Sequence, residues 1–368
     1  MLDLDYFLSL PSYLEFLGST RLPIFIWGMG DGCLKLLNIF NDYGIPCAGI
    51  FASDEFVRDK LFMGYRLHSL SEIENAVPEF IVVLAFGAGY PELMRKIEGL
   101  SLRHRLIVPD MPVVGGGLFT KDFLVSRFDS LSRVYSMLSD QKSREVYKAL
   151  IEFKITGEIK TLRSCETHPS DGYRLLKIGA SESVFDLGAY TGDTIRELLD
   201  FTGGSFSSIT GIEPDRRNFR KLCEYVERSG LDSSKVRLIN AAAGDSCGSI
   251  TVLKGGGRMI KRSQSGVSVQ MISLDSLFWD NASPEDSAFR ECTYIKYDIE
   301  GEEQNALYGS KRVLKMFKPS VCCSIYHRLE DIYSIPLYIS SCLPGHRLYI
   351  RHSPCYPAWD TSLYATDR

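Results

Sequence analysis

Two glycines follow a short apolar run at a point where a helix is about to begin. The run Val184–Thr194 reads VFDLGAYTGDT, with Asp186 inside the apolar segment and Gly188 and Gly192 in the turn after it. Glycine lets a ligand approach the backbone, and unpaired N–H groups at a helix N-terminus attract a carboxylate. Glu213 lies 27 residues after Asp186, at the end of the next apolar run. An acid there accepts hydrogen bonds from both hydroxyls of a ribose, so these residues predict a site for a nucleoside.

A second set of charged residues ends a later apolar run. Within 296–300, the two-residue period of a strand puts Lys296, Asp298 and Glu300 on one face. Charges at the carboxyl end of a central strand point into the crevice where open α/β sheets bind ligands. We therefore expect this set to lie beside the reacting groups. An ion pair between Lys296 and an acid that only ends the strand is the alternative, and Asp298 with Glu300 as ligands of Mg²⁺ is another.

Candidate proton acceptors and substrate contacts follow this run in the sequence. His327 comes directly after the next predicted strand, and its pKa range suits a general base, so it is the first candidate and Asp298 the second. Arg351 and His352 are predicted, together with Lys296, to contact the substrate. No His or Cys cluster has the spacing of zinc ligands, so the spacing predicts no metal site.

One basic cluster interrupts the second half of the chain. It comprises Lys254, Arg258, Lys261 and Arg262, around three consecutive glycines at 255–257. Such a cluster can grip an anionic group of a substrate. A solvated hairpin loop is the other interpretation.

Alternating strands and helices must position these residues. Apolar runs at 184–186, 208–213, 236–242, 293–298 and 320–326 predict a parallel α/β sheet from residue 183 onward. The last two runs, 347–351 and 362–365, are too close together for a crossover helix, which predicts an antiparallel hairpin at the sheet edge.

The first part of the chain shows the same alternation on a smaller scale. Helical spacing at 6–17 and 33–43 and apolar runs at 23–27, 45–51, 80–86 and 106–108 predict a small Rossmann-like α/β domain. The stretch 121–159 has helical period, with no proline and no glycine before Gly157. We therefore predict a first domain over 1–118, a helical connector over 119–182 and a second α/β domain over 183–368.

The first domain carries a weak copy of the dinucleotide fingerprint. The turn Gly28–Cys33 has Cys33 where the third glycine belongs, and this residue argues against close packing of helix on strand there. The favoured interpretation is a degenerate Rossmann module that presents substrate or supports a homodimer. A nucleotide or nucleotide-sugar site remains the alternative, with Asp54 as the ribose contact.

From residue 183 to 365 the sequence resembles the FkbM-type methyltransferases, a branch of class I. The motifs that match are DLGAYTGDT at 186–194, GIEPD at 211–215, NAAAGD at 240–245, SLDSL at 273–277 and IKYDIEGEE at 295–303. The resemblance implies a seven-stranded sheet and S-adenosylmethionine as cofactor, with its ammonium on Asp186 and its carboxylate at the turn. It also implies that Asp298 and Glu300 lie beside the methyl donor or acceptor. The predicted cofactor contacts are Asp186, Gly188, Ala189, Tyr190, Thr191, Gly192, Asp193, Thr194, Glu213, Pro214, Asp215, Asn218, Ala242, Ala243 and Glu300.

The resemblance also implies the kind of reaction. O-methylation of a hydroxyl on a sugar, glycan or natural product is the leading hypothesis, and the acceptor would be a small molecule or glycan. Two other classes stay open at this point. One is an oxidoreductase that binds NAD(P) or a nucleotide-sugar in the first domain, and the other is a binding protein without catalysis.

The composition of the chain limits the kinds of binding partner that we expect. The chain has 368 residues, 45% hydrophobic, and a formal net charge of −4, which disfavours a nucleic-acid partner. The ten cysteines are scattered, which predicts reduced thiols. No apolar run reaches the ~18 residues of a membrane span, and the first residues lack the basic flank of a signal peptide, so we expect a cytoplasmic protein.

Overall fold

Short strands alternate with helices in the first third of the chain. The computed structural model describes residues 1–53, 61–252, 266–280 and 289–368. The elements up to residue 118 are, in chain order, α1 (Leu4–Ser9), α2 (Tyr13–Ser19), β1 (Ile24–Trp27), α3 (Asp31–Asp42), β2 (Gly49–Phe51), β3 (Leu61–Phe62), β4 (Tyr65–His68), α4 (Leu70–Ala76), β5 (Ile81–Leu84), α5 (Pro91–Ser101) and β6 (Arg105–Ile107).

These strands form one six-stranded sheet in the order β3-β4-β2-β1-β5-β6. All its neighbours run parallel except the short β3–β4 pair. Every residue of the central strands β1 and β5 is buried, as expected where helices cover both faces of a parallel sheet. The predicted Rossmann-like α/β architecture is confirmed for this part of the chain.

Two local predictions were wrong. The helix expected over 6–17 is broken into α1 and α2, because Pro11 forces Leu10 before it into extended backbone, at φ −68° and ψ 142°. The β3–β4 hairpin was not predicted, since its two strands hold only a few residues each and only Leu67 among them is buried.

Four helices follow: α6 (Lys121–Met137), α7 (Gln141–Thr156), α8 (Ile159–Cys165) and α9 (Asp171–Leu175). Thr120 and Asp140 cap α6 and α7 with side-chain hydrogen bonds to Phe123 N and Ser143 N. Gly157 ends α7 in the left-handed conformation at φ 66°. This stretch is helical, as predicted, and the residues that begin and end its two long helices can be identified.

The remaining elements build the second sheet and its cover. They are β7 (Ser183–Leu187), α10 (Asp193–Thr202), β8 (Ser208–Ile212), α11 (Arg216–Arg228), β9 (Val236–Ile239), β10 (Ala242–Ala243), β11 (Gly248–Val252), β12 (Val267–Ile272), α12 (Leu274–Trp279), β13 (Tyr294–Tyr297), α13 (Glu303–Tyr308), α14 (Lys311–Phe317), β14 (Ser320–Ser324), α15 (Asp331–Cys342), β15 (Arg347–His352) and β16 (Thr361–Thr366).

The second sheet has seven strands in the order β15-β16-β14-β13-β7-β8-β9. Strand β16 lies antiparallel to both β14 and β15, and the other pairs are parallel. The predicted seven-stranded sheet with an antiparallel C-terminal hairpin is therefore confirmed. Strands β7 and β13 are neighbours at the point where the strand order reverses, which is where such sheets bind ligands. A separate three-stranded sheet, β10-β12-β11, was not predicted.

The second sheet is joined to the connector helices and to the first sheet at several places. Helix α7 packs on β15, where Arg351 forms an ion pair with Asp140, with 2.5 Å between Nη2 and Oδ2. The chain between β15 and β16 reaches the first sheet, where Ala88 and Tyr356 exchange backbone hydrogen bonds of 2.6 and 2.9 Å. One buried apolar cluster includes residues from Leu2 to Ala365. The domain borders at 118 and 182 stay a prediction, because no gap in the core marks them.

None of the helices in the described ranges combines the length and the apolar character that crossing a membrane requires.

Candidate active site

The turn after β7 is built on two glycines with positive φ, Gly188 at 93° and Gly192 at 89°. A Cβ added at Gly188 would lie 2.0 Å from the carbonyl oxygen of Asp298, and one at Gly192 would lie 2.5 Å from the ring of Tyr225. The glycines are therefore required by close packing, with β13 on one side and α11 on the other. The sequence analysis explained these glycines by the approach of a ligand to the backbone, but the close packing alone already requires them.

Two residues that are not glycine adopt the left-handed conformation in this region. They are Tyr190 at φ 46° and Glu300 at φ 56°. Such backbone costs energy for a residue with a side chain and clusters at functional sites. Both residues line the same pocket, one from the turn after β7 and one from the turn after β13.

That pocket, which we call the donor pocket, has a volume of about 90 Å³. Nine of the predicted cofactor contacts line it: Gly188, Tyr190, Asp193, Glu213, Pro214, Asn218, Ala242, Ala243 and Glu300. The other six predicted contacts lie outside the lining: Asp186, Ala189, Thr191, Gly192, Thr194 and Asp215. Asp215 instead caps α11 by accepting hydrogen bonds from Arg217 N and Asn218 N. Sequence reasoning missed Ile250, Ile299 and Glu302, which also line the pocket.

Glu213 is held by the backbone around it. Its carboxylate accepts hydrogen bonds from Tyr190 N at 3.0 Å and from Asp215 N at 2.8 Å. Burial raises the pKa of Glu213 to about 7 in spite of these bonds. Each carboxylate oxygen keeps a lone pair for a further donor. This fixed acid in the pocket wall fits the hydroxyls of a ribose.

Asp186 is fully buried, and neither of its carboxylate oxygens has a hydrogen-bond partner among the residues that the structure describes. Burial raises its pKa to about 7, although the charge of Lys296, its register neighbour on β13, acts in the opposite direction. Asp186 does not line the donor pocket. Its pairing with the ammonium of the cofactor therefore stays a prediction.

The end of β13 carries an ion pair between Lys296 Nζ and Asp298 Oδ2 at 3.1 Å. Asp298 Oδ1 also accepts a hydrogen bond of 2.9 Å from the hydroxyl of Ser324. Burial on its own would raise the pKa of Asp298, but Lys296 and His327 outweigh it and hold that pKa down to about 2. Asp298 therefore stays charged at any physiological pH.

His327 lies directly behind this ion pair, with none of its surface exposed. Its Nδ1 is 2.9 Å from Glu303 Oε1, and its Nε2 is 3.5 Å from Glu300 Oε2 and 3.9 Å from Asp298 Oδ1. Burial lowers the pKa of His327, but these carboxylates dominate and raise it to about 9. The buried imidazole is thus already protonated, and it lines neither of the two spaces described in this subsection. This arrangement favours a positioning role for His327 over the predicted role of base.

The same residues are the candidate ligands of a metal ion. Oxygen or nitrogen atoms of Asp298, Glu303 and His327 all lie within 4.8 Å of one another. A metal would require His327 to lose its proton, because only the neutral imidazole is a ligand. The imidazolium between carboxylates accounts for the same geometry.

A much larger cleft of about 900 Å³ opens beside the donor pocket. Its walls come from the ends of strands and the segments that follow them in both sheets, among them Met29 and Phe86 from the first and Ser324 and Tyr326 from the second. The cleft and the donor pocket share four lining residues: Asp193, Lys296, Asp298 and Glu300. Two ligands, one in each space, would meet at this junction.

Comparison with known proteins agrees with this geometry. Residues 186–343 match the family model described as Methyltransferase FkbM domain. The chain carries an FkbM methyltransferase domain. With the strand order of the second sheet, this match confirms the resemblance and with it a methyltransferase that depends on S-adenosylmethionine. No curated protein matches the chain.

Solved structures show how far the fold extends. Methyltransferase FkbM of Methylobacillus flagellatus KT is similar with a TM-score of 0.71 and 20% identity, covering 98% of this chain and 96% of that one. The similarity therefore includes both sheets of the chain and is not limited to the methyltransferase domain. Fibrillarin of Aeropyrum pernix, in complex with S-adenosyl-L-methionine, covers 53% of this chain and 73% of its own at 15% identity and a TM-score of 0.33.

Two predicted substrate contacts of the methyltransferase domain are corrected. Arg351 is committed to Asp140 and to Ser143, whose hydroxyl oxygen lies 2.8 Å from Nη1. His352 has no exposed surface, and its Nδ1 lies 3.0 Å from Thr361 Oγ1. Burial lowers the pKa of His352 to about 4, so it is neutral. Neither residue lines the cleft, and both hold β15 in place.

The glycines in the fingerprint-like turn of the first sheet are also packed closely against other residues of the protein. A Cβ at Gly32 would lie 1.9 Å from the carbonyl oxygen of Ala85, and one at Gly28 would lie 2.6 Å from the ring of Phe86. Helix α3 thus packs closely on the sheet through Gly32, which corrects the expectation drawn from Cys33. Asp54 and the basic residues Lys254, Arg258, Lys261 and Arg262 lie outside the described residues.

Proposed function

We propose that this chain transfers the methyl group of S-adenosylmethionine to a hydroxyl of a neutral polyol, such as a sugar or a glycan. The observation that carries the proposal is the junction at which the donor pocket and the large cleft share Asp193, Lys296, Asp298 and Glu300. The cofactor supplies a methyl group activated on a sulfonium, so that the protein has mainly to align the acceptor and exclude water.

The donor pocket fits this cofactor on the side of the nucleoside. Glu213 presents a fixed carboxylate for the ribose, and Ala242, Ala243 and Ile250 give an apolar wall for a base. Asp193 and Glu300 place negative charge where the sulfonium would lie. His327 and Glu303 act from behind by holding Glu300 and Asp298 in position.

The walls of the cleft favour a neutral acceptor. Its two lysines among the described lining residues are already engaged: Lys296 with Asp298, and Lys35 with Asp31 and with the carbonyl oxygens of Pro112 and Val113. The lining also contains aromatic and hydroxyl side chains, among them Tyr326, Tyr364 and Trp359. Such walls stack on sugar faces and donate hydrogen bonds to hydroxyls. A phosphate group on the acceptor would lie near acidic side chains, and both lysines of the described lining are already paired.

Calorimetry tests the donor side. We expect S-adenosylhomocysteine to bind with one site per chain, and NADH to give no heat. Glu213→Ala should weaken S-adenosylhomocysteine roughly 10- to 100-fold, since it removes hydrogen bonds to a charged group worth about 1.5–3 kcal/mol. Glu227→Ala, on the exposed face of α11, is the matched control and should leave the affinity unchanged. An unchanged Kd in a folded Glu213→Ala protein would reject the placement of the ribose.

Transfer of a tritiated methyl group tests the acceptor side. A mixture of methyl glycosides and a mixture of sugar phosphates are offered separately with the labelled cofactor. Label is expected in the glycosides and not in the phosphates. Labelling of the phosphates alone would overturn the neutral acceptor while leaving methyl transfer intact.

A further inference from the structure

The segment 353–360 joins β15 to β16 and forms one wall of the cleft. Asp360, its last residue, lines the cleft with an exposed side chain. Its backbone has φ 150°, a value that favours glycine. The carbonyl oxygen of Asp360 accepts a hydrogen bond of 3.0 Å from Ser353 N, which closes the segment into a loop. An acid is thus held in an unfavourable backbone conformation at the site where the acceptor would lie.

The first sheet holds this loop by specific contacts. The paired backbone hydrogen bonds between Ala88 and Tyr356 join the loop to the end of β5. The hydroxyl of Tyr356 donates to Glu98 at 2.9 Å, and the indole N–H of Trp359 donates to Met111 O at 3.3 Å. The ring of Trp359 lies against Gly87, where an added Cβ would be 2.6 Å from it. The loop therefore depends on a part of the chain that lies outside the methyltransferase domain.

Methylation of a hydroxyl needs a proton acceptor that touches the substrate, and the two bases predicted from the sequence, Asp298 and His327, are poorly suited. Asp298 is a very weak base with a pKa of about 2, and His327 is buried and protonated. Asp360 has neither defect, because its side chain is open to the cleft, where partial desolvation by the surrounding walls and then the charge of Asp298 raise its pKa to about 6. The other charged groups that act on it are Lys296 from β13 and Glu197 from α10. Tyr326, just after β14, and Tyr364 on β16 also lie near it.

We propose that Asp360 takes the proton of the acceptor hydroxyl, and that the first sheet serves catalysis by holding the 353–360 loop in the cleft. This inference rests on the proposed function. As the O–H bond breaks, its proton passes to the Asp360 carboxylate, and the oxygen forms the new bond to the methyl carbon. The electron pair of the broken carbon–sulfur bond stays on sulfur, and Asp360 then releases its proton to water.

Variants of Asp360 test the catalytic half. With methyl glycosides as probe, Asp360→Asn should lower kcat roughly 100-fold or more, the usual contribution of a general base. The Kd of S-adenosylhomocysteine should stay within a factor of about two, because Asp360 does not line the donor pocket. The wild-type rate should rise with pH through about 6, as the carboxylate forms, and this rise should be absent in Asp360→Asn. Asp360→Glu should restore part of kcat, and Asp200→Asn, on the exposed face of α10, should change nothing.

A readout without an acceptor tests the positioning half. The carboxyl carbon of Asp360 is followed by NMR in protein labelled with ¹³C at aspartate, with Asp360→Asn giving the assignment. We expect titration near pH 6 in the wild type. In Gly87→Ala, which displaces Trp359, the pKa should fall toward about 4, the value of a solvated aspartate. Trp359→Ala should act in the same direction, and Gly99→Ala, at an open position on α5, is the control.

Each result decides between defined alternatives. A wild-type Asp360 that titrates near 4, or a normal kcat and pH profile in Asp360→Asn, would overturn the inference while methyl transfer stands. An Asp360 pKa unchanged by both Gly87→Ala and Trp359→Ala would remove the role of the first sheet. Absence of heat with S-adenosylhomocysteine would refute the proposed function instead, and the NMR titration would still report on the loop.

Discussion

At the scale of single residues, the acids of the site differ in what surrounds them. Asp186 is buried without a hydrogen-bond partner among the described residues, and its pKa is raised to about 7. Asp298 is half-buried beside the cations Lys296 and His327, and its pKa is lowered to about 2. Asp360 faces the cleft and lies between these values, at about 6. Identical side chains thus have a structural, an electrostatic and, by our inference, a catalytic role.

Asp186 gives a prediction about stability. Its folded-state pKa of about 7 lies above the unfolded value near 4, so the folded protein binds this proton more tightly. The contribution of Asp186 to the free energy of unfolding must therefore fall as pH rises from about 4 to about 7, by up to about 1.4 kcal/mol per pH unit. Asp186→Asn should lack this loss and gain stability relative to the wild type across that range.

Urea unfolding at several pH values between 5 and 8 measures this difference. Other groups, such as His327, titrate equally in both proteins and cancel in the comparison. Curves that stay parallel for wild type and Asp186→Asn would show that Asp186 is already charged in the folded protein at pH 5.

The sequence identified some of these residues and missed others for a physical reason. Glu213 and Asp298 directly follow strands, and the ends of parallel strands meet at one sheet edge, so their place in the site could be predicted. The burial of a side chain could not be predicted from the sequence. For that reason His327 was predicted to act directly as the base and Asp186 to contact the ligand. Asp360 carries no sequence signal, because contacts with residues more than 200 positions away hold its loop.

At the scale of elements, the two turns at the sheet switch point lock onto each other. Gly188 leaves room for the carbonyl oxygen of Asp298, so the turn after β7 and the turn after β13 are positioned as one unit. The donor pocket depends on this contact, because Tyr190 and Glu300 extend from the two turns into it.

Gly188→Ala is the corresponding test. Its Cβ would meet the Asp298 carbonyl, and its φ of 93° disfavours alanine, so the turns should separate and the affinity for S-adenosylhomocysteine should fall at least roughly 10-fold. Gly203→Ala is the matched control, because it has a positive φ of 63° but no atom within 4 Å of the added Cβ. It should cost about 1 kcal/mol of stability and leave binding intact. Equal affinities in both variants would show that the contact at Gly188 is unimportant for the pocket.

Element prediction from the sequence was successful where apolar runs were long and failed where other forces decide. The seven strands of the second sheet and the terminal hairpin were found from periodicity and spacing. The three-stranded sheet β10-β12-β11 was missed because it holds one strand of two residues and two others with little buried surface. The split of the first helix depended on Pro11, whose effect the apolar spacing had concealed.

At the scale of the whole molecule, the carboxyl ends of two α/β sheets face one cleft. Periodicity predicts each sheet separately, but no pattern in the sequence states how the two are docked. That docking comes from the ion pair of Arg351 with Asp140 and from the contact of Ala88 with Tyr356. The first sheet thereby contributes a wall of the cleft and the contacts that hold the 353–360 loop.

The central claim is that cofactor and acceptor meet at the residues shared by the donor pocket and the cleft. A crystal structure of the intact chain with S-adenosylhomocysteine tests it most directly. We predict the ribose on Glu213 and the sulfur at Lys296, Asp298 and Glu300, facing the cleft. A nucleoside bound instead at the Gly28–Cys33 turn of the first sheet, or a sulfur facing away from the cleft, would contradict the account.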